Sequence, residues 1–192
     1  IYAFRVKKFV NSSNEIRTIY KFFNSESIHD LREFNHTTDI ICSANVIAHI
    51  PDLIDVIKSV DSLLSKKGLL IFEEPYLGSM FKKTSYDQIY DEHIFMFSAT
   101  SVKKIFNLHN FELINIVPQK THGGSMRYVI ARKGIYKIKK NVSKQLDYEN
   151  RNNINSIKGC LKFKKNCENS KKKLKKKINS ILKRGKNIAG YA

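Results

Sequence analysis

"DIICSANVIAHIPDLIDVIKSVDSLLSKKGLLIFEEP", residues 39–75, changes its hydrophobic period twice. It opens on a β-rich apolar run with its carboxyl end near Asn45, the pattern of a strand buried in a parallel sheet. Pro51 then suits a first helical position, apolar residues recur at 53, 56, 57, 60, 63 and 64, and Gly68 is expected to stop the helix. "GLLIFEEPYL" (68–77) reads as a second buried strand. Strand, helix and strand in that order imply a parallel pair with a crossover helix, so the class is α/β.

Further along, "SATSVKKIFNLHN" (98–110) has the pattern of a helix capped by Ser98. "FELINIVPQ" (111–119) and "GSMRYVIARKG" (124–134) read as two closing strands whose short connection makes an antiparallel edge. Before residue 39, "IRTIYKFF" (16–23) is a plausible strand. After Gly134 the pattern becomes a long, lysine-rich, poorly amphipathic helix over roughly 137–184. "KNIAGYA" then reads as the start of another strand. The chain begins with Ile1 and stops inside that motif, so it is expected to be a piece of something longer.

The net charge of +18 is not spread evenly. Residues 134–192 hold 18 of the 35 basic and 3 of the 17 acidic residues, which leaves the first 133 residues at only about +3. A hydrophobic content of 42% supports a packed core and excludes a disordered-tail composition. Cys42, Cys160 and Cys167 match no metal spacing and suggest a reduced, cytoplasmic setting. No apolar run approaches the length of a membrane span.

Ligands of open α/β sheets bind beyond the carboxyl ends of the strands, where loops and helix N-termini converge. Asn45 and His49 follow the first strand, Glu73 and Tyr76 end the second, and "YDEH" (90–93) comes after the second on the same side. "THGGS" (121–125) joins the last two strands. Each has a plainer reading: His49 as a hydrogen-bonded end residue, "THGGS" as a glycine turn, and Tyr90, Glu92 and His93 as a solvated loop. The "IFMF" that follows "YDEH" shifts the balance, because it would bury the neighbours and cover the cluster. A sheltered Glu–His pair suits proton transfer.

Residues 39–75, with "PYL" (75–77), "YDEH" (90–93), "FS" (97–98), "THGGS" and "IAGYA", resemble the sugar C-methyltransferases, class I S-adenosylmethionine-dependent enzymes that methylate a ring carbon of nucleotide-linked keto-deoxysugars. The similarity runs from about Ile16 to Ala192. It implies a partial class I methyltransferase (Rossmann-like) α/β sheet with an antiparallel last strand, followed by a Lys-rich helical connector into the start of a second α/β domain. The implied division is 1–133 for the C-terminal part of the methyltransferase domain, 134–186 for the connector and 187–192 for the start of the second domain. Carbon methylation needs an enolate, and the resemblance makes His93 the base, with Tyr90 and Glu92 positioning it or the sugar oxygens and His49 facing the reacting centre. His122, Gly123, Gly124 and Ser125 would line the sugar pocket with Tyr76, and Asn45 would touch the cofactor.

The chain departs from that family in lacking the cysteine-rich zinc domain, the glycine-rich cofactor loop and the acidic residue that holds the cofactor ribose. Asp91 stands where many relatives have His, and Glu74 where an apolar or aromatic residue is common. The expectation is therefore a fragment that binds S-adenosylmethionine poorly alone, exposes a sheet edge and associates with the missing N-terminal part. Two other readings compete. "KKKLKKKINSILKRGK" (171–186) could bind nucleic acid, although it lacks interleaved aromatics and a solvated helix face explains it better. The same methyltransferase fold could instead serve an oxygen acceptor.

Overall fold

The computed structural model describes residues 4–10, 13–34 and 37–190, with side chains over 20–31 and 37–190. A hairpin of β1 (Phe4–Val10) and β2 (Ser13–Ile19) comes first, followed by α1 (Ile28–Phe34). Only the first part of the stretch 16–23 is strand. Next comes the crossover unit of β3 (Thr38–Ala44), α2 (Leu53–Leu63) and β4 (Leu64–Pro75), in which β3 and β4 are parallel.

Helix α2 starts two residues later and ends sooner than its pattern suggests. The Asp52 carboxylate accepts a 2.9 Å bond from the Asp55 N–H, which makes Asp52 the cap and leaves Pro51 outside. Leu64 pairs with Thr38 in the sheet, so residues 64–68 join β4 and Gly68 lies within the strand. Sheet pairing outweighs helical period here. The buried face of α2 carries Leu53, Val56, Ile57, Val60 and Leu63.

Beyond β4 lie α3 (Leu77–Lys83), a 3-10 turn at Tyr86–Gln88 and α4 (Ala99–Asn107), whose Ser98 and Ser101 form a reciprocal cap. β5 (Phe111–Gln119) and β6 (Ser125–Arg132) complete a sheet of order β3-β4-β6-β5. The antiparallel strand β6 is inserted between β4 and β5, and β5 takes the edge. Because β6 is antiparallel to both neighbours, β5 runs the same way as β3 and β4. Pro75 and Gln119 both sit opposite Ser125, so the β5–β6 connection emerges at the carboxyl end of β4.

One face of the sheet is dry. Phe72 lies 4.9 Å from Tyr128, 5.8 Å from Phe106 and 5.9 Å from Phe97 between ring centroids, and all four are buried. On the other face Leu69, Ile71 and Val129 are half-exposed. β3, read from its composition as a buried strand, is at the edge of the four-stranded sheet, with Ile40 57% exposed and Cys42 open to solvent.

The basic segment is two helices where the sequence suggested one. α5 (Lys140–Arg151) and α6 (Ile157–Leu182) are separated by a turn in which Asn153 takes φ 56°. A Cβ on Gly159 would meet the Asn153 carbonyl oxygen at 1.9 Å, so this close return of the chain requires glycine. Phe163 stacks on Phe81 at 4.8 Å and is the last buried residue of α6, so the lysines beyond it face water. Residues 186–190 have no secondary structure, in contrast to the expected strand, because no strand among the described residues pairs with them. Tyr191 and Ala192 lie outside the described residues. None of the described helices is long and apolar enough to cross a membrane.

Candidate active site

At the end of β3 the chain turns sharply. Asn45 adopts φ 53°, a left-handed conformation that Asn tolerates, and its N–H donates to the Glu73 carbonyl at 2.9 Å. A 3-10 turn, Ile47–His49, follows. Its first N–H groups have no partner of their own in the turn, and Glu74 supplies one from β4. One carboxylate oxygen accepts from Val46 N–H at 3.0 Å and Ile47 N–H at 2.7 Å. The other carboxylate oxygen is buried without a partner among the described groups.

Burial pushes the Glu74 carboxyl up, against the lowering by the Val46, Ala48 and Ile47 N–H groups and by His93. A raised folded value means that the stabilisation is present at low pH and lost as pH rises through that value. Burying this carboxyl therefore costs stability at pH values above the ordinary carboxylate range. Glu74→Gln is expected to raise the melting temperature at pH 7.5 and to lose that advantage in acid, as thermal melts at the two pH values would show.

"YDEH" lies directly on this turn. Ala48 carbonyl accepts from Ile94 N–H at 3.0 Å and Phe95 N–H at 3.2 Å, and His49 Nδ1 donates to the Glu92 carbonyl at 2.8 Å. The two imidazoles come within 4.9 Å between centroids. His93 Nδ1 faces the Gln88 carbonyl at 2.8 Å and must donate there, so in the neutral ring Nε2 carries the lone pair and accepts from the Tyr90 hydroxyl at 2.9 Å. Backbone carbonyl, imidazole and phenol thus form a line with a fixed tautomer. This is the arrangement by which a nucleophile or carbon acid is given an oriented base.

Glu92 sits differently from the sequence expectation. Its carbonyl holds His49, while its exposed side chain makes no hydrogen bond to His93, so the side chain that bonds His93 is Tyr90. Nor is the cluster covered. Tyr90 is 46% exposed and Asp91 and Glu92 are exposed, because the apolar residues that follow turn partly outward, Ile94 being 47% exposed.

"THGGS" arrives at the same end of the sheet through β6. Thr121 Oγ1 donates to Glu73 at 2.9 Å, and Arg127 holds the other Glu73 oxygen at 2.9 Å. His122 takes φ 47° and is exposed, and Gly124 takes φ 124°, where a Cβ would meet Ser79 Oγ at 2.5 Å. Lys83 donates to the Gly123 carbonyl. Ser125, buried, donates its hydroxyl to the Thr121 carbonyl, which shapes the loop. His122, Gly123 and Gly124 line a shallow, open cleft with Tyr76, Gln88 and Met96. Gln88 therefore faces this cleft while its carbonyl orients His93.

Tyr76 borders the cleft, and its hydroxyl is held from α5. Its hydroxyl donates to Glu149 at 3.0 Å and accepts from Gln145 at 2.6 Å, both on α5, and its N–H donates to the Gly124 carbonyl at 3.1 Å. Burial, then the charge and hydrogen bond of Glu149, push the phenol above its usual range. Sequence reasoning placed Tyr76 at a substrate but missed Glu149, Gln145, Gln88 and the role of Glu74. Glu149 had one visible signal, as one of only three acidic residues after Gly134. No group of side chains among the described residues could hold a metal ion.

Residues 7–116 match a family profile described as a methyltransferase domain, and residues 120–192 match one described as a C-methyltransferase C-terminal domain. The C-methyltransferase NovU of Streptomyces niveus is 25% identical over 183 residues, which cover 95% of this chain and 44% of that protein. The chain thus spans less than half the length of this relative. Among solved structures, a SAM-dependent methyltransferase from Anabaena variabilis is similar at TM-score 0.42 with 16% identity, covering 58% of this chain and 56% of that one. Magnesium protoporphyrin IX methyltransferase from Synechocystis is similar at TM-score 0.40 with 17% identity, covering 54% and 49%. With a methyltransferase-domain match over more than half its length, this chain belongs to the methyltransferase family.

Proposed function

We propose that this chain is the acceptor-side part of an S-adenosylmethionine-dependent C-methyltransferase whose substrate is a nucleotide-linked keto-deoxysugar. The observation that carries the reading is the Gln88–His93–Tyr90 line, with His49 beside it, at the carboxyl end of a parallel strand pair. Membership of the methyltransferase family and the C-methyltransferase match at the C-terminus support it. The division at residue 133 and the cytoplasmic setting belong to the same proposal.

The chemistry follows from the tautomer. His93 Nε2 takes the proton from the carbon beside the sugar ketone, and the C–H electron pair moves onto the ketone oxygen as an enolate. Tyr90, which caps Nε2 here, turns its hydroxyl to that oxygen as the negative charge develops. S-adenosylmethionine, when bound, would supply the electrophilic methyl that the enolate carbon takes. Asn45 fits the cofactor side, since its buried Oδ1 lacks a partner among the described residues and can accept from an amino or N–H donor. His122 and the glycines beside it border the sugar. The exposed edge at β3 and the half-covered sheet face suit association with the N-terminal part of the same enzyme.

The test uses an enzyme that carries both parts, with S-adenosylmethionine and a nucleotide-linked keto-deoxysugar. Mass spectrometry and carbon NMR should find one new methyl on the carbon next to the ketone. A methyl ether in its place would move the function to an oxygen acceptor.

A further inference from the structure

Glu74 is a charged residue buried to 0% exposure at a strand end, and the reaction scheme above gives it no work. Its surroundings do. One of its oxygens gathers Val46 N–H and Ile47 N–H, which start the 3-10 turn that carries His49. That turn presents the Ala48 carbonyl, which receives two successive N–H groups, Ile94 and Phe95, immediately after His93. His49 in turn grips the Glu92 carbonyl immediately before His93. The backbone on both sides of His93 is therefore tied to a turn that is itself tied to Glu74.

We propose that Glu74 is the positioning residue of this site, holding His49 and His93 in register through the 46–49 turn. An apolar side chain at this position would leave two inward-facing N–H groups without an acceptor, and the turn would have to open to water to satisfy them. Opening it moves the Ala48 carbonyl away from residues 94 and 95, which frees His93 from Gln88 and Tyr90. The carboxylate acts here as an acceptor, so a neutral oxygen in the same place should serve. The proposal rests on the reading of His93 as the base only for its functional meaning.

The experiment reads the imidazoles directly and is independent of catalysis. In 15N-labelled protein, long-range proton–nitrogen correlation should show His93 protonated at Nδ1 and bare at Nε2. In Glu74→Leu the separation between these two nitrogen resonances should collapse as the tautomers mix, and the His49 signals should shift with them. Glu74→Asp, which keeps the charge but is one methylene shorter, should move the signals the same way, and it decides the matter if the leucine variant does not fold. Glu74→Gln should restore the parent pattern. Unaltered His49 and His93 signals in Leu or Asp would overturn the proposal, as would a Gln variant that behaves like Leu. Loss of activity with parent-like imidazole signals would leave Glu74 without a positioning role.

Discussion

Replacing His93 with Asn, in an enzyme that carries the cofactor-binding part, is expected to abolish exchange of solvent deuterium into the carbon beside the sugar ketone. Proton transfer to a positioned imidazole contributes about 10²–10⁴-fold in rate, and an amide has no lone pair of comparable basicity. Exchange is the sharper readout, because it reports enolate formation without methyl transfer. The Gln88 carbonyl explains why this imidazole is the candidate: by taking Nδ1–H at 2.8 Å it directs the lone pair on Nε2 away from the backbone, to where Tyr90 now sits. Substrate binding should be nearly unchanged, so kcat falls and KM moves little. Exchange at the parent rate in His93→Asn would mean that His93 is not the base, and would turn the search to His49, whose ring is 4.9 Å away.

The second large effect is on stability. Glu149→Ala is expected to cost several kcal/mol, since each buried donor left without an acceptor costs about 1–3 kcal/mol. Glu149 is completely buried and accepts from Ala99 N–H at 2.7 Å, Thr100 N–H at 2.9 Å, Thr100 Oγ1 at 2.6 Å, Tyr76 hydroxyl at 3.0 Å and Asn155 Nδ2 at 3.1 Å. Two of these donors are the first N–H groups of α4, where the helix dipole also favours a negative charge. Denaturant melts of the parent and Glu149→Ala would measure the loss. A difference below about 1 kcal/mol would mean that water replaces the carboxylate at little cost. Because Tyr76 bonds both α5 and the Gly124 carbonyl, the same substitution should loosen the cleft that His122 and Gly123 border.

How far the sequence alone could be read depends on the type of interaction involved. The alternation in residues 39–75 announced β3, α2 and β4 because apolar period is a local signal. Ser98 announced its helix for the same reason, since a cap bonds its own next turn. The boundary at residue 64 was not legible, because Leu64 leaves the helix to pair with Thr38, a decision made across 26 residues. Burial of β3 was misjudged from its composition, since an apolar strand reads alike at an edge and in the middle of a sheet. The nearness of His49 to "YDEH" could be expected from their common end of the sheet. That Tyr90, and not Glu92, bonds His93 could not, because it depends on the turn at Gln88.

The residues by themselves determined an α/β chain with a basic helical tail and placed polar clusters at strand ends, since hydrophobic period and capping are written over a few neighbouring positions. Tertiary structure alone decided that β6 enters between β4 and β5, which brings "THGGS" to the same end as His49 and His93. It also decided that Glu74 and Glu149 are buried anchors, one for the turn at 46–49 and one for the start of α4. The physical reason is reach: a buried carboxylate must find donors wherever the fold supplies them, 28 residues away for Glu74 and 50 for Glu149, and no local pattern records such a distance.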